Sequence, residues 1–400
     1  MISIKYVLDK MRDVKVQDYF ALFPMTAALI LKPFFKSKYG GTWLICEEPK
    51  EARDNGYHFF KYMCQEQEEQ KCYYAIKKKS VDYNKVKDLG SIIEYGSIQH
   101  WIAYFLCEYN ISSQKGGKPN SAVCAFMELS GRFKPRNIFL QHGIIINNLR
   151  WLYAENSKIE KFIVSTVPER DYLEKYFGYP KGTISLTGMP RQDALHEIDA
   201  VPARVLIMPT WRYWFNLNSK KHKDTDSNFE TSEYLRKWLE ILKSTRMEEL
   251  IGKYQLEVIF YLHRNMQNHL HAFDKVIDQI TIASWEKYDI QELLKTSSVL
   301  ITDYSSVFFD MVYMKKPVIF YQFDEEKYRK YQYREGYFDY HNNFFGKTFS
   351  TCGGVMEELE KIINRNFQPS DEFIEEHQKI FKYWDNKNSE RIFKMLSDNR

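Results

Sequence analysis

The stretch that most constrains how this chain can fold is residues 297–321, SSVLITDYSSVFFDMVYMKKPVIFY. Its pattern predicts an apolar strand over residues 299–302, a polar turn, a short helix, and a second strand that opens at Pro317. The turn, residues 303–306, places two hydroxyls where unpaired backbone N–H groups begin a helix, a position that favours negative charge. The same residue types are the commonest helix caps, so the turn alone favours capping over phosphate binding.

Two further apolar strands end in polar or cationic residues, which shifts the balance towards phosphate binding. Residues 204–208 (RVLIM) run into a PTWR sequence, and residues 256–262 (LEVIFYL) run into an HRN sequence. The carboxyl ends of parallel strands share one edge of an open sheet, and ligands bind in the crevice outside that edge. The residues there that suit a diphosphate are Arg212, His263, Arg264, Ser305 and Ser306.

The first half of the chain predicts a second parallel sheet, because strand patterns alternate with helical ones. A length of 400 residues is also about right for two domains. We place the boundary at residues 198–202, which gives an N-terminal domain (1–200), a C-terminal domain (201–375) and a helical tail (376–400). The predicted N-terminal strands are residues 43–46, 73–77, 90–93, 137–140, 162–165 and 183–187.

One histidine stands at the end of a predicted N-terminal strand. The strand over residues 138–140 runs into Gln141, His142 and Gly143. A single histidine is more often structural than catalytic, but the carboxyl end of a strand faces the ligand crevice in this class of fold. With an ordinary pKa of about 6.5, an imidazole is suited to take a proton from a hydroxyl at neutral pH. His142 is therefore our candidate general base.

Composition excludes several classes of function. The 57 basic residues are nearly balanced by 53 acidic ones, so charge gives no reason to expect a nucleic-acid partner. The six cysteines show no zinc-type spacing and are expected to be free thiols in a reducing compartment, with the cytosol as the default. No DxD pair or metal-ligand cluster is apparent, which predicts no protein-bound metal. The charged residues 1–13 predict no signal peptide.

Two segments stand apart from this pattern. Residues 17–38 are apolar and aromatic with lysines towards the end; a helix buried against the first domain is the simpler interpretation, and an interfacial helix on an anionic membrane is the alternative. Pro24, Lys32 and Pro33 interrupt this run, so no transmembrane span is expected. Residues 216–228 are polar and predict a mobile surface loop with a solvated charge run.

Six motifs occur in order along nearly the whole chain: WLICEEPKEARDNGYHFFKY (43–62), LQHGII (140–145), TGMPRQDAL (187–195), MPTWR (208–212), LHRNM (262–266) and ITDYSSVFFD (301–310). Together they resemble the motifs of the glycerophosphotransferase family that uses CDP-glycerol to build teichoic acids and related capsule polymers. The last motif is the most specific. The resemblance implies a glycosyltransferase type B fold, in which two Rossmann-like parallel-sheet α/β domains face a cleft, with the nucleotide in the C-terminal domain.

The resemblance also implies roles for individual residues. His142 would activate the acceptor hydroxyl, and His263 would assist as an electrostatic donor. Asp310 would reach a hydroxyl of the nucleotide or orient a neighbour. The residues implied to hold the donor's diphosphate are His263, Arg212, Thr302, Ser305 and Ser306.

The implied partners are CDP-glycerol as donor, a polymer or lipid-linked acceptor, and a membrane surface. The implied location is cytoplasmic, peripheral on the inner face of the cell membrane. No cofactor is expected, although a divalent ion loosely bound with the nucleotide stays open. Two alternatives use the same scaffold, a CDP-ribitol-dependent transferase and a nucleotide-sugar glycosyltransferase. An alternative of another class is a non-catalytic protein that binds membranes or polyanions.

Overall fold

The computed structural model describes residues 14–131, 133–197, 201–215 and 228–398. Most of the predicted loop at 216–228, the first three residues of the predicted boundary at 198–202 and the charged residues 1–13 lie outside the described residues. The chain forms two compact units. Unit 1 contains residues 1–144, 150–194 and 383–400, and unit 2 contains residues 145–149 and 195–382.

The described strands, in chain order, are β1 (Trp43–Cys46), β2 (Cys72–Ile76), β3 (Ile92–Glu94), β4 (Tyr109–Ser112), β5 (Asn137–Phe139), β6 (Asn147–Asn148), β7 (Lys161–Val164), β8 (Ile184–Leu186), β9 (Arg204–Ile207), β10 (Glu257–Tyr261), β11 (Ile280–Ala283), β12 (Val299–Thr302), β13 (Val318–Tyr321), β14 (Arg334–Glu335) and β15 (Gly346–Phe349).

The α-helices are Val16–Phe20, Leu22–Leu31, Lys36–Tyr39, Asn55–Glu66, Tyr83–Lys87, Ile98–Leu106, Ser121–Leu129, Val167–Tyr176, Glu233–Leu242, Thr245–Tyr254, Ile290–Thr296, Phe308–Tyr313, Glu325–Tyr331, Cys352–Asn364, Asp371–Ile380 and Asn388–Ser397. Short 3-10 segments cover Lys32–Phe35, Arg150–Leu152, Ala154–Asn156, Pro190–His196, Tyr213–Phe215 and Arg264–Phe273.

Unit 1 is built on a seven-stranded sheet in the order β3-β2-β1-β4-β5-β7-β8, with every pairing parallel. Both faces of this sheet are covered, so its central strands are apolar on both sides. In β1, Trp43 and Ile45 join one core cluster while Leu44 joins the cluster on the opposite face. Successive side chains of a strand point to opposite faces of the sheet. Because both faces are buried here, every position of the strand is apolar, and the sequence reads as a continuous apolar run.

The helix Asn388–Ser397, predicted as part of a C-terminal tail, belongs to unit 1. Ile392 and Leu396 lie in the same core cluster as Trp43. The carboxylate of Asp193 accepts hydrogen bonds from the first backbone N–H groups of this helix, at Asn388 (2.8 Å) and Ser389 (2.9 Å). A carboxylate at a helix N-terminus satisfies unpaired donors and complements the helix dipole, so the helix is fixed to unit 1 at its start as well as along its apolar face.

Unit 2 is built on a six-stranded sheet in the order β11-β10-β9-β12-β13-β15, again with parallel pairings. The organising stretch at residues 297–321 supplies β12 and β13 with the helix Phe308–Tyr313 between them. β9, which leads to Arg212, lies between β10 and β12. A separate antiparallel pair joins β6 to β14. The predicted α/β class with two parallel sheets is confirmed.

The apolar N-terminal segment differs from the expected buried helix. Phe20, Phe23 and Phe34 are 76, 77 and 79% exposed, whereas Ala28 is buried on the side that packs against the helix Ile98–Leu106. Pro24 does not interrupt the segment, because it lies in the first turn of Leu22–Leu31, where proline is tolerated. By length and composition alone, the 22 residues Asp18–Tyr39 are sufficient to cross a membrane, and only 6% of the 18-residue apolar window within them is buried. The segment therefore presents an apolar face to its surroundings.

Candidate active site

In unit 1, His142 and Asp54 form a hydrogen-bonded pair. The imidazole Nδ1 of His142 lies 2.5 Å from Oδ2 of Asp54. The His142 side chain is 68% exposed while that of Asp54 is only 9% exposed. A carboxylate that accepts the proton of Nδ1 fixes the ring orientation and leaves Nε2 as the basic nitrogen. The arrangement thus holds an accessible imidazole in the tautomer that a general base requires.

Arg191 supports this pair from the opposite side. Its Nη1 lies 2.9 Å from Oδ1 of Asp54 and also donates to the backbone carbonyl of His142. The backbone N–H of Arg191 donates to Oδ1 of Asn55 (3.0 Å), and Nδ2 of Asn55 donates to the carbonyl of Gln141 (2.8 Å). Three distant segments of unit 1 therefore converge on one residue, His142.

The charges of this network shift the pKa values of His142 and Asp54. The Asp54 carboxylate raises the pKa of His142, and this effect outweighs the opposing positive charge of Arg191. Burial favours the neutral form of Asp54, but His142 and Arg191 prevail and hold the pKa of Asp54 below its usual value. The imidazole is therefore a stronger base than an isolated histidine.

A second carboxyl group, Glu47, holds the loop that carries Asp54. It accepts hydrogen bonds from the backbone N–H groups of Arg53 (3.1 Å), Asp54 (3.2 Å) and Tyr57 (2.6 Å). Burial and the nearby Asp54 carboxylate raise the pKa of Glu47 to about 8. Because these donors lie at the start of the helix Asn55–Glu66, Glu47 fixes the position of Asp54 relative to β1.

In unit 2, Arg212 is the centre of a buried charge cluster. Its guanidinium is 0% exposed and lies 2.7 Å from Oδ2 of Asp303 and 2.8 Å from Oδ2 of Asp324. A third contact runs from Nη1 to the carbonyl of Thr210 (2.8 Å). Burial opposes the charge of Arg212, but the two carboxylates keep its pKa well above the ordinary value. The cluster joins the ends of β9, β12 and β13.

Two of the residues predicted to hold the donor diphosphate, Arg212 and Thr302, are buried. Arg212 follows β9 at the carboxyl edge of the sheet, as expected, and its guanidinium is completely enclosed and paired with Asp303 and Asp324. Thr302 is also fully buried and donates to the carbonyl of Met208 (2.7 Å), which ties β12 to β9. Contact of either side chain with a donor diphosphate stays a prediction.

The turn after Asp303 keeps its two hydroxyl groups at the surface of unit 2. Ser305 and Ser306 are half-buried, and Oγ of Ser305 accepts from the backbone N–H of Val307 (3.4 Å). Asp310 lies in the first turn of the helix Phe308–Tyr313 and is 4% exposed. The two serines are thus the accessible members of this motif.

His263 lies at the end of β10 and contacts the loop that carries Arg212. Its Nδ1 accepts from the backbone N–H of Asn265 (3.2 Å), and its ring stacks on Trp211 with centroids 6.2 Å apart. Arg264 lies over the ring of Trp285, 4.6 Å from its centroid. His263 and the loop at 210–212 are therefore neighbours within unit 2, as their positions at adjacent strand ends predicted.

Sequence reasoning did not single out Asp54, Arg191, Asp303 or Asp324. The first three lie inside three of the motifs, so membership of a motif was the available signal. Asp324 lies outside the motifs, and only the fold brings it to Arg212. Among the described residues, no group of three His, Cys, Asp or Glu side chains is arranged to hold a metal ion. The prediction of no protein-bound metal stays a prediction.

Comparison with known proteins identifies relatives that match large parts of this chain. GgaB of Bacillus subtilis, a minor teichoic acid biosynthesis protein, is 30% identical over 366 residues, which cover 88% of this chain and 39% of GgaB. TarL of Staphylococcus aureus, a teichoic acid ribitol-phosphate polymerase, is 26% identical over 252 residues, which cover 59% of this chain and 41% of TarL. The chain thus spans less than half the length of these relatives.

A solved structure shares the fold. The wall teichoic acid polymerase TagF matches with a TM-score of 0.66 and 18% identity, covering 96% of this chain and 98% of the TagF chain. This match confirms the predicted glycosyltransferase type B fold class. Residues 27–398 match the profile of one sequence family. The chain therefore belongs to the CDP-glycerol:poly(glycerophosphate) glycerophosphotransferase family.

Proposed function

We propose that this protein transfers glycerol phosphate from CDP-glycerol to a hydroxyl group of a teichoic-acid-like or capsule polymer, with release of CMP. The observation that carries the proposal is the exposed His142 imidazole, held by the buried Asp54 carboxylate. An exposed base with an enclosed orienting carboxylate suits proton removal from a bulky hydroxyl substrate.

In the proposed reaction, the acceptor oxygen attacks the phosphorus atom that bears glycerol. A new P–O bond forms, the P–O bond to CMP breaks, and the hydroxyl proton passes to Nε2 of His142. Charge on the donor's two phosphates needs cationic or hydrogen-bonding partners. In unit 2, His263, Arg264 and the hydroxyls of Ser305 and Ser306 are the groups that we assign to this task. Arg212 and Asp303 position the turn that carries the serines.

The donor is the second part of the proposal. The family description names CDP-glycerol, and one variant of TagF was soaked with CDPG. TarL, in contrast, is a ribitol-phosphate polymerase, so CDP-ribitol is the second candidate donor. Both donors share the CDP group, and the serines and His263 would contact only that group.

The test is CMP release by purified protein, measured with CDP-glycerol, CDP-ribitol and a UDP-sugar in separate reactions with a polyol-phosphate acceptor. We expect CMP from CDP-glycerol, at least tenfold more slowly from CDP-ribitol, and no nucleotide from the UDP-sugar. His142→Ala is the negative control, and Lys79→Met, at an exposed lysine, is the matched positive control. Adding EDTA tests whether a divalent ion accompanies the nucleotide. Release that is independent of His142 would refute the proposal, and no release with any donor would favour a non-catalytic protein.

We also propose that the protein is cytoplasmic and lies peripherally on the inner face of the cell membrane. The exposed face formed by Phe20, Phe23 and Phe34, with Lys32, Lys36 and Lys38 nearby in sequence, supports this location. Exposed apolar side chains enter the acyl boundary while lysines attract anionic headgroups.

A further inference from the structure

Unit 1 contains a cavity of about 510 Å³ that is separate from the His142–Asp54–Arg191 network. Its walls come from the loop after β4, the helix Ser121–Leu129, β5 and residues 156–159. The exposed rings of Phe126 and Trp151 lie on its wall, so the cavity opens to the surface. Cavities of this size are typical of binding sites for small molecules.

The lining combines positive charge with hydrogen-bonding groups. Four lysines, Lys15, Lys115, Lys118 and Lys158, line the cavity against two acidic residues. Both carboxylates already have partners, since Glu128 accepts from Lys118 (2.5 Å) and Asp18 accepts from Asn120 (2.9 Å). The excess of lysines therefore favours an anion.

The remaining wall is apolar. Ala122, Ala125 and Phe126 lie along one side of the helix Ser121–Leu129, and Phe139 of β5 also lines the cavity. A purely anionic ligand would leave these side chains unused, whereas an amphiphile contacts both kinds of surface.

The position of the cavity fits such a ligand. Asp18 lines it and belongs to the helix Val16–Phe20, whose Val16 and Phe20 are 75 and 76% exposed. An apolar chain leaving the cavity would thus meet the exposed apolar side chains of the N-terminal segment, which include Phe20, Phe23 and Phe34. We call this surface the apolar N-terminal face. Phe139 is the last residue of β5, three positions before His142. The cavity and the candidate base are therefore carried by one strand and its continuation.

We propose that this cavity binds the phosphate group of an amphiphile, a phosphate ester that carries a long apolar chain. On the proposed function above, this ligand is the lipid-linked end of the acceptor. The lysines contact the phosphate, the helix and Phe139 contact the first part of the chain, and the apolar N-terminal face receives the rest.

The probe is decyl phosphate, used below its critical micelle concentration and measured by titration calorimetry against the full chain. We expect decyl phosphate to bind at least about tenfold more tightly than glycerol 3-phosphate, inorganic phosphate or decyl maltoside, because it alone offers both phosphate and chain. Ala125→Trp, which fills the cavity, and Lys158→Met, at an exposed lysine, should each weaken decyl phosphate binding by about tenfold. Lys79→Met, outside the cavity, should not.

Each alternative outcome decides the matter. Equal binding of decyl maltoside would mean adsorption to an apolar surface, and equal binding of glycerol 3-phosphate would mean a site for the soluble polymer; either overturns the proposal. If Ala125→Trp fails to fold, Lys158→Met tests the site alone. Unchanged decyl phosphate binding in Lys158→Met then overturns the proposal. CMP release is measured on the same proteins. Decyl phosphate binding without CMP release from any donor would refute the proposed function and leave the cavity assignment intact.

Discussion

Asp54 and His142 are 88 positions apart in the chain, yet Oδ2 of Asp54 lies 2.5 Å from Nδ1 of His142. Arg191 binds the second oxygen of the same carboxylate at 2.9 Å. The carboxylate is enclosed and the imidazole is exposed, so the pair presents one basic nitrogen outward. The first two predictions concern this pair.

Asp54→Asn should reduce kcat by about 10²–10⁴-fold, because the ring loses its orienting acceptor and part of its basicity. A base works in its neutral form, so activity rises as pH rises through its pKa. Since Asp54 raises the pKa of His142, its removal should move this rise to lower pH. The measurement is kcat for CMP release across pH 5.5 to 9, with the exposed Asp171→Asn as control. A rise at the same pH in Asp54→Asn and wild type would contradict the assigned role.

The same pair should make stability depend on pH. The raised pKa of His142 means that protonated His142 stabilises the fold fully below about pH 6.5, and that this stabilisation is lost as pH rises through the raised pKa. The lowered pKa of Asp54 sets the other limit, because the contribution of the carboxylate is lost as pH falls below about 4. The Tm difference between wild type and His142→Asn should therefore be largest near pH 5 to 6 and smallest at pH 9. A difference that grows towards pH 9 would exclude the ion pair.

Replacement of His142 and replacement of His263 should have different effects on binding and turnover. His142→Ala should bind the donor almost normally but lose about 10²–10⁴-fold in turnover, the usual effect of a lost general base. His263→Ala should lose affinity for CDP-glycerol as well as rate, because a side chain that donates hydrogen bonds to the phosphates contributes to binding of the nucleotide. Calorimetry with CDP-glycerol and CMP-release rates for both variants separate the roles. The reverse pattern, with donor affinity lost only in His142→Ala, would show that the roles are exchanged.

Arg212→Lys should destabilise the protein by about 3–5 kcal/mol, because lysine cannot pair with Asp303 and Asp324 together and leaves buried charge uncompensated. Urea unfolding measures this loss, and the exposed Arg236→Lys is the control. Calorimetry with CDP-glycerol on a folded Arg212→Ala variant then tests whether Arg212 contributes to donor binding, for which a loss of at least about tenfold is expected. Stability within 1 kcal/mol of wild type would show that the cluster is not structural.

Replacement of Phe20, Phe23 and Phe34 by serine should weaken binding to anionic vesicles by at least about tenfold, because each exposed ring is available for burial in the lipid. Binding by the wild-type protein should also fall as salt is added, since lysines contribute through screened attraction. Sedimentation with vesicles measures both effects. Phe344→Ser, in unit 2 and 55% exposed, is the control. Wild-type protein that remains in the supernatant at low salt would contradict membrane contact.

Continuous apolar runs made much of the fold predictable. β1 and β12 have the bounds expected from the sequence, because strands buried on both faces leave little room for polar residues. β4 was missed because its sequence, YNIS, is half polar. Asn110 is tolerated in this central strand since its amide donates to the carbonyl of Gly117 (3.2 Å) and to Oδ1 of Asn137 (3.3 Å). β15, GKTF, lies at the sheet edge and needs no apolar run.

The candidate site was predictable only in part. Strand ends identified His142 and His263 as residues at ligand-facing positions, since a strand can be recognised locally. The partners of His142 come from other strands, and no local pattern connects Asp54 or Arg191 to it. The position of Arg212 after a strand was also predictable, but its pairing with Asp324 depends on tertiary structure and could not be read from the sequence.

The hydrogen bonds between Asp193 and the start of the helix Asn388–Ser397 have a consequence for synthesis of the chain on the ribosome. Gly188 adopts φ 81°, and a Cβ there would come within 2.0 Å of Oδ1 of Asn388, so the turn and the helix are built to fit one another. Trp43 and Phe393, whose rings lie 5.6 Å apart, complete the same core from opposite ends of the chain. During translation, the strands of unit 1 leave the ribosome before unit 2, but their core can close only after residue 396 has emerged. The apolar surface that awaits this helix therefore stays open while unit 2 is synthesised, and open apolar surface of this kind is prone to aggregation.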